Sequence, residues 1–116
     1  MMFLTLALLA AAAPDGAHPK WMVGTWGWQN PGERGNDCGS DHTTSYDRNG
    51  RYYFIGETGY WRVEGDKLIE TMTDDGGTGD PALREEPQAR RFKQVKPGVL
   101  QLLGENPGKM IKCPGS

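Results

Sequence analysis

The feature that most limits what this chain can fold into is its turn punctuation. Gly, Asn-Gly or Pro-Gly recurs between short runs of strand-forming residues, and each break reverses the chain for a physical reason. Asn49-Gly50 separates 44–48 from 51–55, and both residues tolerate the positive φ that a type I′ hairpin turn demands. The stretch 56–59 supplies the next reversal, and Gly65-Asp66 joins 60–63 to 68–72. Pro97-Gly98 suits the central positions of a type II turn between 91–95 and 99–103, and Asn106-Pro107-Gly108 precedes Lys109–Lys112. With 21–29 these runs make eight candidate strands.

Three of the turns fall at about eight-residue spacing, the rhythm of an up-and-down meander rather than of βαβ units. At 116 residues there is room for one small domain and no second core. The fold expected is therefore all-β, an antiparallel eight-stranded meander barrel. One short helix is predicted over 80–86, where Asp80 is an N-cap and Pro81 occupies the first helical position. The acidic, Gly-rich stretch 74–80 before it lacks the alternation and closing Glu of a calcium-binding loop and reads as solvated loop.

Residues 1–17 predict a secretory signal. Apart from Thr5, 3–13 is an unbroken apolar run, shorter than the roughly 20 residues of a bilayer span, and small residues follow it. That leaves 18–116 as the barrel domain, placed in the periplasm or outside the cell. In an oxidising compartment the two cysteines, Cys38 and Cys113, predict one disulfide tying the last strand back to the first.

Alternation assigns the inner faces: Trp61 with Val63, Leu68 with Glu70 and Met72, and Leu100 with Leu102. Four Trp and four Tyr all follow Lys20, so bulky aromatics are expected to fill the lumen themselves. Charge is uneven, with six basic and twelve acidic residues in 14–81 against seven and three in 82–116. The simplest account is complementarity between neighbouring strands, with a basic patch from Arg84, Arg90, Arg91, Lys93 and Lys96 as the sharper alternative. A net charge of −2 argues against a nucleic-acid partner.

Gly24-Thr25-Trp26 is similar to the G-x-W signature of lipocalins and other calycins. The segment from Gly59 through Trp61 to Leu68 resembles the G-x-W-x-(I/V)-x-G-D-x-L hairpin of small bacterial lipocalin-like secreted proteins. The resemblance implies that Trp26 closes one end of the barrel and that Trp61 is its structural counterpart. It also implies an Arg packed over that Trp from near the last strand, where this chain departs from the pattern, since its final Arg is Arg91.

Enzyme chemistry finds little support. The histidines are His18 and His42, and the consecutive Ser40-Asp41-His42 does not converge as a nucleophile, base and orienter must. No metal-ligand spacing and no cofactor motif is present. The leading expectation is a non-enzymatic binding module for a small apolar or amphipathic ligand, with Trp28, Tyr53 and Arg62 at the barrel mouth. A protein-binding module is the alternative; periplasmic lysozyme inhibitors also use small eight-stranded barrels, although their Ser-Gly-x-x-Tyr signature is absent here. A small hydrolase using His42 stands last.

Overall fold

The computed structural model describes residues 17–74, 86–104 and 107–116. Eight strands follow in chain order: β1 (Gly24–Gln29), β2 (Thr44–Tyr46), β3 (Arg51–Phe54), β4 (Glu57–Glu64), β5 (Lys67–Asp74), β6 (Gln88–Lys96), β7 (Val99–Leu102) and β8 (Lys109–Lys112). Every strand is antiparallel to its sequence neighbour, and β1 pairs with β8 to close the barrel. The expected meander barrel is what forms. Residues 1–16 of the expected signal segment 1–17, and the helix expected at 80–86 apart from non-helical Glu86, lie outside the described residues.

Strand limits differ from the sequence reading where turns are tighter than expected. Residues 21–23 do not extend β1; Met22 and Val23 donate to the carbonyls of Pro19 and Lys20 in a turn ahead of it. The second reversal needs only Ile55 and Gly56, the latter at φ 72°, and Gly59 lies inside β4 opposite Tyr52. The Asn49-Gly50 reversal exists, but it is not the two-residue turn expected. Gly50 takes φ 85° while Asn49 keeps a negative φ, because the Asp47 carboxylate accepts from the Asn49 and Arg51 amides and organises a longer turn. Pro97-Gly98 does form the expected reversal, with Gly98 at φ 81° in the position a type II turn reserves for Gly.

Register fixes which side chains point inward. Trp26 lies opposite Thr44 and Lys112, Tyr46 opposite Tyr52, and Trp61 opposite Glu70, so these residues share the inner face. One barrel end is packed solid around Met22, Trp26, Trp61, Leu68, Phe92 and Leu100. There the indole N–H of Trp26 donates to the Met22 carbonyl at 2.8 Å, and that of Trp61 to the Asp47 carbonyl at 2.9 Å. Trp26 therefore fixes the segment ahead of β1, and Trp61 the turn between β2 and β3. His18 already belongs to this plug: its ring meets Trp61 edge-on at 5.0 Å and its Nε2 donates to the Trp61 carbonyl. In place of the Arg implied by the calycin resemblance, Lys112 is the register partner of Trp26, and its ammonium donates to the Trp21 carbonyl at 3.4 Å.

Cys38 and Cys113 are disulfide-bonded. The loop after β1 folds back over the outer side of the β1–β8 seam, and Gly27 makes this feasible, since a Cβ there would strike the Cys38 backbone at 2.6 Å. The charge asymmetry resolves partly as strand complementarity. Arg91 bonds Asp66 at 3.3 Å, and Arg90 stands 3.8 Å from Glu70, both across the β5–β6 side of the barrel.

Candidate functional site

Toward the other end the lumen is not filled by side chains, which corrects the expectation of a solid interior. A cavity of about 930 Å³ lies there, above a floor formed by Trp26 and Tyr46. An eight-stranded barrel is just wide enough to be filled by its own side chains or to hold one small ligand. Here it is divided between the two, a plug at one end and a cavity at the other. The difference lies in what the inner positions carry, since at the plugged end the strands contribute Trp, Leu and Phe while toward the other end the same strands contribute several polar residues.

One part of the wall is apolar, from Trp28, Phe54, Leu102 and Met110. Trp28 is the inner residue of β1 after Trp26. Its ring lies so close to Gly108 that any Cβ at that position would overlap it, and its indole N–H donates to Asn30 Oδ1 at 2.7 Å. Asn30 is itself held by a 2.7 Å bond from its amide to Glu33. The Trp28 ring is thus clamped from two sides in a fixed orientation along the cavity.

The rest of the wall is polar, beginning at Glu57, the register partner of Phe54. Glu70 is 8% exposed, a buried carboxylate on the inner face of β5. It accepts a hydrogen bond from the Tyr46 hydroxyl, and the Arg90 guanidinium stands near its second oxygen. Glu57, the inner residue at the start of β4, accepts from the Tyr52 hydroxyl at 2.6 Å. Gly59 makes room for that Tyr52 ring, because a Cβ there would meet Tyr52 Cε2 at 2.6 Å. Burial, and then the Glu70 carboxylate beside it, pushes the Tyr46 phenol well above its ordinary range. Burial and the hydrogen bond to Glu57 do the same for Tyr52. Both phenols are therefore fixed as neutral donors at physiological pH. A recess of about 340 Å³ adjoins this cluster, bounded by Tyr52, Glu57, Glu70, Met72, Glu86 and Arg90.

Of the three candidate ligand contacts, the structure brings Trp28 to the cavity and leaves the other two outside it. Tyr53 is 45% exposed on the outer face of β3, because its neighbours Tyr52 and Phe54 take the inner positions. Arg62 points outward between the inner residues Trp61 and Val63, and pairs with Glu64 at 2.6 Å on the surface. The alternation that put Trp61 and Val63 on one face already implied this for Arg62. Sequence reasoning missed Tyr46, Tyr52, Glu57, Glu70 and Arg90 as a group. The available signal was Glu70, an acid in phase with Leu68 and Met72 on a face that otherwise reads as core.

His42 lines the cavity beside Phe54, with ring centroids 6.4 Å apart. The Ser40 hydroxyl donates to the Asp37 carbonyl and accepts from the His42 amide, so it serves a turn and is not aimed at the imidazole. Among the described residues no group of three or more His, Cys, Asp or Glu is placed to hold a metal ion. Among the same residues no helix is long and apolar enough to cross a membrane.

The closed antiparallel eight-stranded barrel with a plugged end and a lumenal cavity is consistent with a lipocalin-like architecture. No family model matches the chain, and no match was found among curated proteins or among solved structures.

Proposed function

We propose that this protein is an exported, non-enzymatic binding module of lipocalin-like type that takes a small amphipathic molecule into the barrel lumen. The observation that carries the reading is the cavity of about 930 Å³, within the usual range of small-molecule sites, lined both by Trp28, Phe54, Leu102 and Met110 and by a polar cluster. Such a wall removes an apolar tail from water while hydrogen-bonding groups orient a polar end. The apolar N-terminal run and the disulfide support export to the periplasm or beyond.

The test is a tryptophan-fluorescence titration with fatty acids, alkylamines and haem, run on wild type and on Trp28→Phe. A saturable change that shrinks in Trp28→Phe is expected. No saturable change with any of these probes would contradict the reading. A second reading, a protein-binding module, is favoured by one observation: Tyr53, Ile55 and Tyr60 stand exposed together around the β3–β4 hairpin.

A further inference from the structure

We propose that the polar end of the ligand is an organic cation, an alkylammonium group, seated between the carboxylates of Glu57 and Glu70 and the surrounding aromatic rings. The inference rests on the small-molecule reading above and adds the sign of the ligand's charge.

Three observations converge on it. The first is the placement of the acids. Glu57 and Glu70 both bound the main cavity and its adjoining recess, and each is oriented by a phenol, Tyr52 and Tyr46 respectively. The second is the charge balance of the wall. Although Arg91 borders the cavity, its guanidinium is held by Asp66 in the β4–β5 turn, at the plugged end. Among the described residues that leaves Arg90, already facing Glu70, against Glu57, Glu70, Asp37 and the rim residue Glu86. A cleft with an excess of one sign concentrates counter-ions of the other, so a carboxylate head entering here meets like charge and an ammonium does not. The third is the ring lining. Trp28, Tyr46, Tyr52 and Phe54 all border the same space, and the negative faces of aromatic rings attract cations, most strongly where water is excluded.

The chemistry is tested by calorimetric titration with three amphiphiles of one chain length, decyltrimethylammonium, decanoate and decanol, each kept below self-association. Decyltrimethylammonium is expected to bind at least about tenfold more tightly than decanoate, equivalent to about 1.4 kcal/mol. Added salt should weaken the cation alone. Glu57→Gln, a change at a half-buried position, should lower cation affinity about tenfold and leave decanol unaffected; Glu70→Gln should act in the same direction. Arg62→Gln, on the outer surface, should change none of the three. Decanoate binding as tightly as the cation would overturn the proposal, as would Glu57→Gln weakening all three probes alike. Failure of all three to bind would instead overturn the small-molecule reading beneath it.

Discussion

The Tyr46 hydroxyl on β2 donates a hydrogen bond to the carboxylate of Glu70 on β5, two strands that share no ladder. The bond spans the lumen and ties the two halves of the barrel together at the cavity floor. Hydrogen bonds to a buried charged group are worth about 1.5–3 kcal/mol, and removing the donor leaves the carboxylate under-satisfied. Tyr46→Phe is therefore expected to lower unfolding stability by that amount in urea titration. A urea midpoint equal to that of wild type would show that the contact contributes nothing.

Stability should also depend on pH in the alkaline range. Tyr46 and Tyr52 hold their protons more tightly folded than unfolded. Their contribution is thus complete below the unfolded phenol value of about 10 and is lost as pH rises above it. Urea midpoints should fall from about pH 10 upward, and less steeply in Tyr52→Phe, where one such group is gone. A Tyr52→Phe profile parallel to wild type would contradict the assignment.

The disulfide joins residues 75 apart in sequence. Closing a loop of that length removes enough disorder from the unfolded chain to give about 4.5 kcal/mol in the chain-entropy model, and measured values are typically about 2–4 kcal/mol. Denaturant unfolding with and without reductant should show a loss in that range. An unchanged midpoint after verified reduction would contradict it.

Two substitutions probe the packing. Trp26→Ala empties the centre of the plug and removes the indole bond to Met22, so a loss of about 3–5 kcal/mol is expected, a large share of the stability of a small domain. Gly59→Ala places a methyl group against the Thr71 carbonyl and the Tyr52 ring, and β-ladder backbone cannot move aside. Overpacking of this kind costs about 1–3 kcal/mol, read as a drop of several degrees in melting temperature.

Most of the barrel was legible because turns are local. Gly65-Asp66 and Pro97-Gly98 state their conformations within two residues, and the existence and order of the strands that flank them follow, though not their full lengths. The phase of β3 was less legible. In the run from Arg51 to Phe54 three aromatics stand in a row, so alternation alone cannot say whether Tyr52 or Tyr53 faces inward. The pairing Tyr46 opposite Tyr52 decides it, and that pairing depends on the Asp47 side chain lengthening the turn. The cavity was illegible for a different reason. Tyr52 and Glu57 meet within the β3–β4 hairpin, but Tyr46 and Glu70 come from β2 and β5, which share no ladder, so only the curvature of the barrel brings all four groups around one space.

The central claim, that the lumen beside Trp28 is a ligand site, is tested most directly by residue-resolved NMR titration of the labelled protein with decyltrimethylammonium. The account predicts saturable shifts in the Trp28 indole N–H and in the amides of Glu57 and Glu70, with the Trp61 indole, buried in the plug, unmoved. Saturable shifts confined to the outer face around Tyr53 and Arg62, with Trp28 unmoved, would contradict it.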